Sequence, residues 1–111
     1  MINSELTAER WFRFSLFEQL GNVGSDVGRA IRWKEKGEAE YSYGAVLRML
    51  QQMNYTIADP KNRGSQLREI VRMREILTDY FLGDNEYKST PEFLQKYFDD
   101  FALASAIQRG R

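Results

Sequence analysis

Only two prolines interrupt this chain of 111 residues, and both stand where a helical rhythm of apolar residues breaks off. Proline fixes φ and has no amide donor, so it ends a helix or opens one but does not continue it. Pro60 falls in Asp59-Pro60-Lys61-Asn62-Arg63-Gly64, a turn cluster in which Gly64 tolerates positive φ. Pro91 follows Thr90 and precedes Glu92, the pattern of an N-cap, a first helical proline and an acid in the first turn. Gly37 and Gly83 suit helix C-termini. These breaks predict four helices over 4–36, 38–58, 65–82 and 91–108.

Inside each segment the apolar positions repeat every three or four residues, as one face of a helix requires. The first carries Phe12, Leu16, Leu20, Val23, Val27 and Ile31, and the second Ala39, Tyr43, Val46, Leu50, Met53 and Ile57. The third carries Leu67, Ile70, Leu77 and Phe81, and the fourth Leu94, Tyr97, Phe98, Phe101 and Ala104. No stretch alternates with β-branched enrichment, so no strand is expected. Seven Phe, six Tyr and two Trp supply ample area for one core and argue against disorder. Short turns between long amphipathic helices make sequential neighbours antiparallel. The expected fold is all-α, an antiparallel up-down four-helix bundle occupying 1–111 as a single domain.

Histidine and cysteine are both absent, which removes whole classes of chemistry. A Ser–His or Cys–His nucleophile, a Cys/His zinc site, a redox pair and a disulfide framework are excluded. Catalysis would have to use carboxylates, Lys, Tyr, Arg or a bound hard cation, so the chain reads as more binding module than enzyme. The Gly83-Asp84-Asn85-Glu86-Tyr87 turn lacks the ligand spacing of a calcium loop, and no phosphate-cradling glycine motif occurs, so no metal or cofactor is expected. Sixteen basic residues balance sixteen acidic ones, leaving no net field for nucleic acid or membrane. Charges interrupt the first thirteen residues, and no run of about eighteen apolar residues exists, so a cytoplasmic location off the membrane is expected.

The first segment carries a second stripe, Phe14, Phe17, Gly21, Gly24 and Gly28. Interior helical glycines cost roughly 0.5–1 kcal/mol each against alanine, so a close approach should compensate. That approach belongs either to a neighbouring helix of the same chain or to a dimer seam or ligand slot. A first helix of about thirty residues would overhang the others. With Trp11 and Trp33 read as exposed, this makes a homodimer the expected state. Beside the glycines, Asn22, Ser25, Asp26, Arg29 and Arg32 read as a solvated face, with Asp26–Arg29 at ion-pair spacing.

Arg74 breaks the third stripe at a place where an apolar residue is expected. In that register its charge needs a carboxylate or a partner subunit, whereas the competing register, Ile70, Met73, Leu77 and Tyr80, leaves it at the border. Lys61, Arg63, Arg68, Arg72 and Arg74 form a basic stretch broken by Glu69, a candidate surface for a protein partner or for nucleic acid.

The run Arg72-Met73-Arg74-Glu75-Ile76-Leu77-Thr78-Asp79-Tyr80-Phe81 resembles the signature of the HEPN superfamily of small four-helix bundles. That signature is an Arg with a polar neighbour, followed four to six positions later on the same helix by a His, and often by a Tyr. Arg74 matches the Arg, Glu75 the polar neighbour, and Asp79 stands where the His would be, with Tyr80 one residue early. The resemblance spans about ten residues and implies one of two roles. One is a non-catalytic partner of a small nucleotidyltransferase or toxin–antitoxin component; the other is a degenerate RNase whose candidate catalytic pair is Arg74 and Asp79. An aspartate has no cationic form and serves as general acid only when its pKa is strongly raised, so the non-catalytic role is the expected one. The overall rhythm is also similar to that of small prokaryotic helical proteins.

Overall fold

A computed structural model describes residues 6–110. It is all-helical, with no strand among the described residues. The helices are α1 (Ala8–Phe12), α2 (Leu16–Glu35), α3 (Ala39–Ala58), α4 (Gly64–Leu82) and α5 (Pro91–Arg109). The seven expected boundaries from residue 36 to residue 108 each fall within one residue of an observed helix end. The expected start of the first segment, at residue 4, lies outside the described residues.

The first segment is two helices instead of one. The chain leaves α1 at Arg13, and Ser15 opens α2 with a capping box: Glu18 N donates to Ser15 Oγ (3.1 Å) and Ser15 N donates to Glu18 Oε1 (2.9 Å). Two amide donors that the helix start leaves unmatched are satisfied reciprocally. Phe12, Leu16 and Leu20 stay in phase across this break, so periodicity runs through it unseen. With α2 and α3 at 20 residues each and α4 and α5 at 19, nothing overhangs.

α2 packs on both α3 and α5, while α4 and α1 pack on α3. The shared core joins Val23, Val27 and Ala30 of α2 to Met49 and Met53 of α3, Ile70 and Leu77 of α4, and Leu94 and Phe98 of α5. On α3 the buried face is Ser42, Ala45, Val46, Met49, Met53 and Thr56. The expected stripe through Ala39, Tyr43 and Leu50 is therefore rotated towards the flank. Close approach to α2 decides this: small side chains face it, and Ser42 Oγ donates to the Ala30 carbonyl at 2.9 Å.

Trp11, expected on the surface, is only 2% exposed, and its indole N–H donates to Thr56 Oγ1 at 2.8 Å. Around it a buried polar network ties α1, α2, α3 and the Pro60 turn together. Gln19 Nε2 donates to the Trp11 carbonyl (3.1 Å) and to Asp59 Oδ2 (2.8 Å), and Asn62 Nδ2 donates to Gln19 Oε1 (3.1 Å) and to the Thr56 carbonyl (2.9 Å). Lys61 closes it, its ammonium reaching both Asp59 and the Phe12 carbonyl. Each buried group is matched, which is the condition for such a network to hold a fold instead of weakening it.

Candidate functional site

Arg74 occupies the border register. Ile70, Met73, Ile76 and Leu77 form the buried face of α4, and Arg74 lies beside it, half-buried. Its Nε donates to Asn54 Oδ1 of α3 at 2.8 Å. The expected carboxylate is replaced by a neutral amide, because the guanidinium is wet enough to need no counter-charge; no ion pair to Arg74 occurs among the described residues.

Asp79 is engaged differently. Its two carboxylate oxygens accept the amides of Glu86 (2.8 Å) and Tyr87 (3.0 Å), and its carbonyl accepts those of Gly83 and Asn85 (3.1 Å each). It staples the connector between α4 and α5, whose residues Asn85 and Lys88 take positive φ. Arg74 thus reaches across to α3 while Asp79 turns to its own loop. The structure places both on α4 and shows no contact between them.

The basic stretch is not gathered into one patch. Lys61 is drawn into the Asp59 network, and Arg63 Nε donates to the Pro60 carbonyl at 2.8 Å. Arg68 and Arg72 share an outer face of α4 with Glu75 and Asp79 by helical spacing, and Arg72 lies over the Tyr87 ring. Arg74 points away from that face to Asn54.

The glycine stripe lies beneath α5 of the same chain. A Cβ on Gly24 would stand 2.5 Å from Phe98 Cβ, and one on Gly21 would stand 3.2 Å from Ala102 Cα. A Cβ on Gly28 would stand 2.7 Å from Gln95 Oε1 and 3.1 Å from an Arg32 nitrogen. Of the polar residues beside it, Asp26 is buried, contrary to the solvated face expected. It accepts from Arg29 Nη1 (2.8 Å), Arg48 Nε (3.3 Å) and Gln52 Nε2 (3.1 Å), so a carboxylate on α2 is held by two cations and an amide. Arg48 and Gln52, both on α3, are partners that spacing along one helix could not supply.

What distinguishes the Arg74 region is its apolar surround. Tyr43, Leu47, Leu50 and Asn54 follow one strip of α3, and Val71, Arg74, Thr78 and Leu82 follow one strip of α4, each at steps of three or four. The Asn54–Arg74 hydrogen bond joins the strips and so sets them side by side. Tyr43 is 53% exposed, Leu47 48%, Val71 39% and Leu82 49%. Leu47 and Val71 had no place in the sequence stripes; the signal was an apolar arc on α3 wider than one core face needs. Among the described residues no cluster of three or more carboxylates is placed to hold a metal ion, and no helix is long and apolar enough to cross a membrane. No family model, curated protein or solved structure matches this chain.

Proposed function

We propose that this protein is a non-catalytic helical interaction module that self-associates through the α3–α4 face centred on Arg74. The observation that carries this is the pair of strips with exposed apolar side chains, joined by the bond from Arg74 of one to Asn54 of the other. Large apolar groups grouped on one face mark interaction sites more often than scattered ones do, and arginine beside aromatic and aliphatic groups is the composition of an interface centre. A second copy is the partner, since a two-fold axis on this face would set its apolar strips against those of an identical chain. The HEPN resemblance of the same segment supports the reading, because in that family's RNase toxins dimerisation assembles the site that holds the arginine, and a nucleotidyltransferase or toxin–antitoxin partner would extend it. In this reading α2 to α5 form an antiparallel up-down bundle, supported by short connections at 36–38, 59–63 and 83–90.

Sedimentation across the micromolar range tests it. The wild type is expected to be dimeric, and Leu47→Glu, at an exposed position, to yield a folded monomer. A wild type that stays monomeric, or a Leu47→Glu variant that dimerises as before, would remove the proposal.

A further inference from the structure

α2, α4 and α5 border an open cleft of about 350 Å³ at the first turns of α2 and α4. Small-molecule sites begin at roughly 300 Å³ and are lined mainly by apolar and aromatic groups with a few polar ones. Three half-buried rings form a continuous wall here: Phe17 and Phe101 have centroids 5.8 Å apart, and Phe101 and Tyr97 5.3 Å. Leu20 and Ile70 supply aliphatic surface. Among the described residues lining the cleft, Glu69 is the only charged one. The Tyr97 hydroxyl donates to Glu69 Oε2 at 2.8 Å, which fixes the carboxylate beside the rings.

Such a lining discriminates by charge. Aromatic faces carry the negative part of a quadrupole, and a carboxylate adds a full negative charge. An anion meets repulsion from both, a neutral apolar molecule gains only contact, and a cation gains contact and attraction together. We propose that this cleft binds a small lipophilic organic cation, an alkyl- or arylammonium, with its charge beside Glu69 and its apolar body against Phe17, Phe101 and Leu20. Burial, and then the Glu69 hydrogen bond, hold the Tyr97 phenol well above its ordinary pKa, so it remains a donor to the carboxylate throughout the neutral range. Glu69 and Arg74 lie on different flanks of α4, so the cleft and the α3–α4 face stand or fall separately.

Amide NMR titration of the full chain with benzyltrimethylammonium provides the test, with benzyl alcohol and phenylacetate as neutral and anionic comparators. Saturable shifts are expected around 66–70 and 97–101, with the cation bound more tightly than the alcohol and phenylacetate weakest. Glu69 is exposed, so Glu69→Gln should leave the fold intact and weaken the cation about twofold to fivefold, the range of a wet ion pair, without changing the alcohol. Phe101→Leu should weaken both ligands. No saturable shift up to about 10 mM cation would overturn the proposal. So would equal binding of cation and alcohol, or a Glu69→Gln variant that binds the cation as the wild type does.

Discussion

Arg74 shows how little a residue's identity says before its surroundings are known. An arginine in an apolar stripe implies a buried charge, and losing one member of a buried pair costs about 3–5 kcal/mol. At the border of the stripe, half-buried and bonded to an amide, the same residue contributes on the scale of one neutral-acceptor hydrogen bond. Arg74→Ala is therefore expected to lower the unfolding free energy by only about 1 kcal/mol in chemical denaturation. Arg72→Ala, exposed and lying over Tyr87, should change it by less. The residue to fear losing is Asp26, which reads as part of a solvated stripe in the sequence but is only 3% exposed. Asp26→Ala strands the Gln52 amide and takes the shared carboxylate from Arg29 and Arg48, though both cations retain access to water. A loss of about 2 kcal/mol is expected. If Arg74→Ala proves the costlier of the two, Arg74 is more deeply engaged than its bond to Asn54 implies.

At the scale of elements, two glycines in neighbouring helices make opposite predictions. Gly24 lies under Phe98, where an added Cβ would stand 2.5 Å from Phe98 Cβ, inside van der Waals contact, while a Cβ on Gly44 of α3 would meet nothing within 4 Å. Alanine gains up to about 1 kcal/mol of helix propensity at either place, but overpacking a tight contact costs about 1–3 kcal/mol. Gly44→Ala should raise the melting temperature and Gly24→Ala lower it; a rise in both would mean that α5 does not sit tightly on α2. The sequence marks Gly24 as part of a stripe, and the stripe does point at a close neighbour, but which helix lies there is a tertiary fact. The same limit explains the other differences. Helix type and the Pro60 and Pro91 breaks were legible because backbone chemistry is local. Ser15 and Glu18 form a Ser-x-x-Glu box, but the apolar phase runs unbroken through Phe12, Leu16 and Leu20 and hides the break. The buried face of α3 was not legible, since Tyr43, Leu47 and Leu50 make an apolar arc from which only contact with α2 selects. The exposed half of that arc, with Val71, became the candidate interface for the same reason.

For the whole molecule, the ionisable groups that folding perturbs set the two ends of its pH range. Burial alone would raise the pKa of Asp59, but hydrogen bonds from Lys61 and Gln19 and the Lys61 charge outweigh it and hold the carboxyl below its ordinary 3.8. The folded state then keeps Asp59 ionised where the unfolded state takes up a proton. Its stabilisation is present above pH 3.8 and is lost as pH falls through the folded value. Because Asp59 joins α1, α2 and the Pro60 turn, this loss should loosen the Trp11 end first, visible as a change in tryptophan emission. At the other end, burial raises Tyr97, with Glu69 adding to it, and burial raises Tyr80, with the charges of Glu35 and Glu92 adding. For both the folded state favours the neutral phenol, so the contribution is complete below pH 10.0 and is lost as pH rises above it towards the folded values. Tyr97→Phe removes one of these groups while keeping the ring against Phe98 and Phe101. Thermal melts from neutral pH into the alkaline range should therefore show a modest loss at pH 8, where the Glu69 hydrogen bond is missing. Above pH 10.0 the decline of the variant should be shallower than that of the wild type, so that the two curves converge. Parallel curves would mean that Tyr97 titrates alike in the folded and unfolded chain, and that neither its burial nor its bond to Glu69 persists in solution.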